Sequence, residues 1–339
     1  MTFFKPFEGP PFLEKILSDP SFITSSDTFE KISLTYRNRV SLNPSSLPFK
    51  KEDVSVYVAA RMPATMAAIG AVLERLHQEK PQFLPSSFLD IGSGPGSFLW
   101  ALLGKFPKFE RGVLYEGNAF FLDLLPLFLK AGEASFDALK NVEVVRKNVL
   151  EVSSPDCLEK FDLVSLCYLL SEIPPKSQMG LLETAWAKTG DVLMIVEPGT
   201  PLGFSNITRA RQFLKERGGF FCAPCPHQNK CPLEDTKDWC HFKVRLTRSR
   251  LHRHLKSASL PYEDEKYSYL IVQKKPLERN PLEGRILKNP LKRPGHLIFD
   301  LCTHTGEERI TVSKKTPKRY KEAQKKDWGD LWTREREKE

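Results

Sequence analysis

The period of the apolar positions changes several times along the chain. Behind Pro63, which suits a first helical turn, Met66, Ile69, Leu73 and Leu76 recur at helical spacing. That pattern predicts a core-facing helix, with Tyr57–Arg61 leading into it. From residue 86 onward, short apolar runs alternate with helical patterns. Ser87–Ile91, Val113–Tyr115, Val142–Arg146, Phe161–Tyr168 and Asp191–Val196 read as strands, and Phe98–Leu103, Phe120–Leu129 and Gln178–Lys188 as helices between them. Such alternation predicts an α/β fold with a parallel, doubly wound sheet. Ser205 is then the expected N-cap of a helix with Ile207, Ala210 and Leu214 on one face, stopped by Gly218-Gly219.

Beyond a cysteine-rich stretch, Lys243–Lys256 reads as a basic helix leading into a strand around Lys266–Val272. RILKNP, HLIFDLC and RITVSKK, separated by Gly295 and Gly306, predict a small β unit, followed by a charged tail with Trp328 and Trp332. Four parts result. They are an N-terminal segment (1–50), an α/β domain (51–220), a cysteine segment with basic helix and final sheet strand (221–280), and a small basic β-rich C-terminal unit (281–339).

With 339 residues, 40% hydrophobic and 27% charged, the chain has the composition of a soluble globular protein. It has no apolar run of about 18 residues, which excludes a transmembrane helix. The N-terminus lacks a basic start followed by an apolar stretch and carries Glu8, Glu14 and Asp19. The expectation is a bacterial cytoplasmic protein without signal or transit peptide. The net charge of +9 is unevenly placed. Residues 243–339 hold 25 Lys and Arg against 14 Asp and Glu, a net of +11, and the rest of the chain is slightly acidic. A polyanion, above all nucleic acid, is the partner this asymmetry predicts.

The segment Asp90-Ile-Gly-Ser-Gly-Pro-Gly96 follows a strand and opens a helix. Its glycines allow a sharp turn and close approach of backbone to ligand. Glu116 ends the next strand, where a carboxylate can accept hydrogen bonds from two ribose hydroxyls. A dinucleotide loop would read GxGxxG and a P-loop would carry GK[ST], and neither is present. Asp90, Gly92, Gly94, Gly96 and Glu116 therefore predict an S-adenosylmethionine site. The catalytic group is less evident. Enzymes that methylate amino groups often carry Asn/Asp-Pro-Pro-Tyr after the fourth strand. Here Leu169-Leu-Ser-Glu-Ile-Pro-Pro175 has the prolines without the Asn and Tyr. Glu172 is a candidate for orienting substrate, and equally reads as a helix cap or a surface charge.

Cys157, Cys167, Cys222, Cys225, Cys231, Cys240 and Cys302 are an odd set, which argues against a disulfide framework. Cys167 lies in an apolar strand and reads as core. Four cysteines, Cys222 to Cys240, follow C-x2-C-x5-C-x8-C spacing among stiffening prolines. Such thiolates hold either zinc or an iron–sulfur cluster, with His227 and His241 as further candidate ligands.

Five segments together resemble the methyltransferase-like proteins of the small ribosomal subunit. They are Tyr57-Val-Ala-Ala-Arg-Met-Pro-Ala-Thr65, the Asp90–Gly96 loop, Val196-Glu-Pro-Gly-Thr-Pro-Leu-Gly-Phe204, Ala223-Pro-Cys-Pro-His227 with Cys231 and Asp238–Phe242, and Glu263-Asp-Glu-Lys-Tyr-Ser-Tyr269. The resemblance implies a Rossmann-like class I S-adenosylmethionine-dependent methyltransferase fold with a 4Fe–4S cluster, zinc being the alternative metal. The family pattern falls on Cys225, Cys231 and Cys240, with Cys302 as fourth ligand and Cys222 as an extra cysteine. Many methyltransferases of this fold place an acid after the third strand against adenine. Asn148 stands there, and its amide can still hydrogen-bond the adenine amino group.

The resemblance also implies a partner, the small ribosomal subunit and its rRNA, met by a monomer. Activity is expected as rRNA methylation, subunit assembly or both, the alternative being a non-catalytic assembly factor. A radical S-adenosylmethionine enzyme is disfavoured, because four protein ligands leave no open iron. RNA phosphates are expected on Lys243, Arg245, Arg248, Arg250, Arg253 and Lys256 of the predicted helix, and on Lys314, Lys315, Lys318 and Arg319.

Overall fold

A computed structural model of the chain describes residues 51–149, 159–277 and 283–333. The expected N-terminal segment 1–50 and Cys157 lie outside the described residues. Helices α1 (Lys51–Ala60) and α2 (Met62–Glu79) come first, and Met66, Ile69, Leu73 and Leu76 are buried as their spacing requires. Among the described residues no single helix is long and apolar enough to cross a membrane.

The alternating segment forms β1 (Ser87–Ile91), α3 (Ser97–Lys105), β2 (Arg111–Glu116), α4 (Ala119–Gly132), β3 (Val142–Arg146), β4 (Phe161–Cys167), α5 (Pro175–Lys188) and β5 (Thr189–Pro198). Next come α6 (Pro201–Glu216), β6 (Phe220–Ala223), β7 (Phe242–Thr247), α7 (Arg250–Leu255) and β8 (Tyr262–Gln273). The sheet runs β3-β2-β1-β4-β5-β8-β6, with β7 also paired to β8. Strands β1 to β5 are parallel. Strand β8 is antiparallel to β5, β6 and β7. This is a Rossmann-like methyltransferase fold, a doubly wound sheet whose order reverses between β1 and β4. The reversal opens a crevice at the carboxyl ends of those strands, where ligands of such sheets bind. One core packs α1 to α4 on the sheet, and a second packs α5 and α6 against it.

Two local expectations are corrected. Helix α6 begins at Pro201, not after Ser205, because Thr200 Oγ1 accepts the Gly203 N–H at 3.1 Å and so caps the helix. Gly203 is required there, since a Cβ would stand 2.0 Å from the Pro198 carbonyl oxygen. The expected basic helix 243–256 is instead strand β7 followed by the short α7. Phe242, Val244 and Leu246 are buried in alternation with Lys243, Arg245 and Thr247, a period of two. That face meets acids across the pair, with Arg245 opposite Asp264 in register.

A second sheet contains β9 (Glu283–Ile286), β10 (Leu291–Arg293), β11 (His296–Thr303), β12 (Gly306–Ser313) and β13 (Leu331–Thr333), with α8 (Pro317–Ala323) after β12. Its order is β10-β11-β9-β13, with β12 on β11. Leu297, Phe299, Leu301, Val312 and Trp332 form its own core. Phe204, Leu233, Leu287 and Cys302 form a junction core with Cys231 and Cys240 alongside. Arg285 locks the junction from a side chain only 1% exposed. It donates to the Pro224 and Gly329 carbonyls at 2.7 and 3.0 Å and to Glu79 at 2.6 Å. A guanidinium buried this deeply is tolerable only because every edge finds an acceptor.

Candidate cofactor cleft and cysteine pocket

The crevice beyond β1 and β4 is a cavity of about 330 Å³. Asp90, Gly92, Gly94, Glu116, Asn148 and Glu172 all line it. Gly96 does not. It turns the chain into α3 at φ +83°, where its carbonyl accepts the Trp100 N–H at 3.1 Å. Gly92 and Gly94 also have positive φ, +77° and +53°. A Cβ on Gly94 would meet nothing within 4 Å, so this glycine leaves its backbone bare toward the cavity.

Glu116 organises the loop. Its Oε2 accepts the Gly94 N–H at 2.6 Å, and its Oε1 accepts Gly117 N–H at 2.9 Å and Asn118 N–H at 2.7 Å. A carboxylate offers about four acceptor positions. Three are therefore taken by backbone, which leaves about one open. Burial raises the Glu116 pKa, and the backbone donors oppose that rise. Asp90 is 1% exposed, with Ser165 Oγ donating to its Oδ1 at 2.6 Å. Its Oδ2 is buried without a hydrogen-bond partner. Burial pushes the Asp90 pKa up to about 7. An unpartnered buried oxygen beside a bare glycine turn fits a polar ligand that brings a donor.

The far wall follows β4. Tyr168 sits at φ 59° there, a costly conformation for a non-glycine residue. Its hydroxyl reaches Glu265 at 3.2 Å, and Arg61 forks onto the same carboxylate at 3.0 and 2.8 Å. Sequence reasoning missed Tyr168, although it adjoins the motif position examined. It also missed Glu197, which is fully buried. Glu197 accepts the Leu170 and Ser171 N–H groups at 2.9 and 3.0 Å and is also bonded by Ser171 Oγ and Asn206 Nδ2. It thereby holds the turn that presents Glu172.

Burial lifts the Glu197 pKa from 4.5 to about 7, with Glu172 adding repulsion. Cys167 is the other titratable neighbour. A carboxyl raised in the folded state binds its proton more tightly folded than unfolded. Its contribution to stability is present below pH 4.5 and is lost as pH rises to about 7. Glu197→Gln is expected to flatten the fall of Tm over that window. Thermal melts at several pH values test this, and an unchanged slope would contradict it. Asp90 supplies a parallel dependence that stays in the variant.

Cys225, Cys231, Cys240 and Cys302 line a second pocket together, although Cys302 stands on β11 of the small sheet. Cys222 does not. It is fully buried on β6 within the main core. Among the described residues no cysteine forms a disulfide. No group of three or more His, Cys, Asp or Glu side chains among those residues is arranged to hold a metal ion. The four thiols share one pocket.

Burial and then neighbouring thiols raise the Cys240 and Cys302 pKa values strongly and that of Cys231 to about 11. Two arginines missed from the sequence, Arg211 and Arg285, also line the pocket. Burial disfavours the Arg211 charge, but Cys225, Cys231 and Cys302 raise its pKa overall. Arg211 lies over the Phe221 ring at 4.2 Å and donates to the Asn229 carbonyl. His227 Nε2 is 3.4 Å from Cys302 Sγ, and burial lowers its pKa to about 4. His241 belongs to a different cavity.

The expected RNA-binding residues differ in how far they are already engaged. Arg245 forks onto Asp264, while Arg248 and Lys256 both bind Glu263 at distances from 2.7 to 3.0 Å. Lys243 is half-buried, Arg250 is exposed and Arg253 is half-buried. On the small sheet, Lys314, Lys315 and Lys318 are exposed. Arg319 lies over the Trp332 ring at 5.6 Å.

Residues 51–333 match the protein family described as "Mitochondrial small ribosomal subunit Rsm22". A human relative, "Ribosome assembly protein METTL17, mitochondrial", is 29% identical over 332 residues, covering 94% of this chain and 71% of its own. "Ribosome assembly protein RSM22, mitochondrial" of Saccharomyces cerevisiae is 26% identical over 243 residues, covering 42% of this chain and 39% of its own. The match thus spans less than half of the yeast relative. A solved structure of an O-methyltransferase family protein from Burkholderia thailandensis is 14% identical with TM-score 0.45, covering 74% of this chain and 69% of its own. The expectation of a bacterial cytoplasmic protein is corrected here, because the family and both of these relatives are mitochondrial.

Proposed function

The chain belongs to the Rsm22 family of the mitochondrial small ribosomal subunit, and from that premise we propose that it is an S-adenosylmethionine-binding assembly factor for that subunit. The observation that carries this reading is the cleft itself. Asp90 Oδ2 is buried and unpartnered beside the bare Gly94 turn, with Glu116 and Asn148 on the same wall. Asp90 and Glu116 would take the donors of the cofactor, and the Asn148 amide its adenine. S-adenosylmethionine, when bound, supplies an electrophilic methyl group.

Cys225, Cys231, Cys240 and Cys302 would hold a 4Fe–4S cluster. The resemblance that places a cluster on these four cysteines supports this choice, and their shared pocket agrees with it. Arg211 and Arg285 would offset the charge of four thiolates. A group ligated from both sheets would add its binding energy to the docking of the small one.

The RNA of the small subunit would meet the basic third of the chain. Because Arg245, Arg248 and Lys256 are internally paired, the open lysines of the small sheet would carry most of the phosphate contacts.

A second reading, methyl transfer to an rRNA nucleotide flipped into the cleft, draws on the position of Glu172 in the cavity wall. Against it, the Tyr168 and Ser171 hydroxyls on the same turn are engaged by Glu265 and Glu197. The discriminating experiment incubates anaerobically purified protein with isotopically labelled S-adenosylmethionine and immature small subunits. Cofactor bound without label in RNA is the expected result. Label in RNA would establish the enzyme, and failure to bind the cofactor would remove the cleft's assigned role.

A further inference from the structure

A third cavity, of about 310 Å³, lies between the cysteine loop and the small sheet. Trp239, His241 and Trp328 wall it, and Lys288 and Asn289 line it from the small sheet. Trp239 and His241 stack with ring centres 5.2 Å apart and planes 23° apart. Trp328 meets His241 edge-on at 5.0 Å. Trp239 is pinned by its Nε1, which donates to the Gly199 carbonyl at 3.0 Å. All three rings are half-buried, so part of their area remains open to solvent. The Trp328 Nε1 is buried without a hydrogen-bond partner.

The surroundings are basic. Lys243 Nζ lies 5.9 Å from the Trp328 ring centre. Past Asn289 the chain enters β10, an edge strand whose three residues, Leu291, Lys292 and Arg293, are all exposed. Strand β10 spans about 10 Å, the reach of a nucleotide or two. At its far end the Lys314 N–H donates to the Gly295 carbonyl at 2.9 Å, which places Lys314 at the turn between β10 and β11.

Resting on the RNA partner proposed above, we propose that this cavity takes an unpaired nucleobase of RNA, held against both Trp239 and Trp328, with the adjoining phosphates along Lys292 and Arg293. Every base has a π-face, so an aromatic cavity holds one without reading sequence. Phosphates alone would need only the cations. A base in the cavity uses both the rings and the basic edge strand that leads away from them. Asn289 supplies an amide for the base edge, and Lys288, paired to Asp238 at 2.6 Å, closes the rim.

The test uses the full chain, a short fluorescein-labelled single-stranded RNA of mixed sequence, and a duplex of the same sequence. Single-stranded RNA is expected to bind more tightly than duplex and to quench tryptophan emission. Trp239→Leu and Trp328→Leu are each expected to weaken that binding about tenfold, with Trp→Phe at either position recovering most of it. Asn289 is exposed, so Asn289→Trp narrows the mouth without disturbing the core and should weaken binding similarly even where a Trp→Leu variant does not fold. Lys292→Glu with Arg293→Glu should weaken binding and flatten its salt dependence.

Leucine and Asn289→Trp variants that bind as well as wild type, with the charge reversal still damaging, would overturn the cavity and leave RNA docking standing. Equal affinity for duplex and single strand would also overturn it. No binding of either RNA would remove the RNA partner as well.

Discussion

Glu116→Ala is expected to weaken S-adenosylmethionine binding about 100-fold, with a Tm drop of only a few degrees. The carboxylate accepts the N–H groups of Gly94, Gly117 and Asn118. It therefore joins the first glycine loop to the start of α4 while keeping one acceptor position for the ligand. Hydrogen bonds to charged groups contribute about 1.5–3 kcal/mol each. Loss of the ribose contact and of the Gly94 anchor together comes to about 3 kcal/mol, or about 100-fold in affinity. The stability effect is smaller because the freed N–H groups lie at the open cavity, where water reaches them. Glu116→Gln should fall between, since an amide keeps one acceptor but meets at least one N–H with its own donor. Isothermal titration with the cofactor checks this, and wild-type affinity in the alanine variant would refute the assignment of Glu116.

With the cluster proposed above, Cys302→Ser is expected to abolish its chromophore and bound iron, whereas Cys222→Ser keeps both. Cysteine spacing in the local sequence pairs Cys222 with Cys225, but the fold separates them. Cys222 points into the main core at 0% exposure, and Cys302 lines the pocket of Cys225, Cys231 and Cys240 from another sheet. Visible absorption and iron and sulfide assays on anaerobic protein read the outcome. Because the cluster would bridge both sheets, its loss should also lower Tm markedly. Arg285 would then be the main remaining tie, through Pro224, Gly329 and Glu79. Loss of the chromophore in Cys222→Ser and its retention in Cys302→Ser would reverse the ligand set.

The parts of this protein written in local pattern were legible. Strands β1 to β5 and their helices follow from apolar runs alternating with helical spacing, since burial selects those residues whatever their partners. The glycine loop and Glu116 were legible for the same reason. Positive φ and a strand-end acid are demands of a few adjacent residues. Resemblance carried the cysteine set further, to Cys302, which local spacing does not reach.

Misreadings fell where a partner distant in sequence decides. Lys243–Lys256 has charges enough for a helix face, but β8 supplies Asp264 and Glu263 across the strand, and cross-strand pairing wins. The same acids internally pair three of the ten residues assigned to RNA. Glu197 looks like an ordinary acid in Val196-Glu-Pro-Gly, and only tertiary structure places it under the turn after β4.

The sequence by itself determined the order of elements, the glycine turn and the basic bias of the last third, because these depend on short-range geometry and on summed charge. Tertiary structure alone decided which charges stay open and that Trp239 and Trp328 wall one cavity. Those outcomes depend on contacts between residues far apart in the chain, and burial, not spacing, sets their energies.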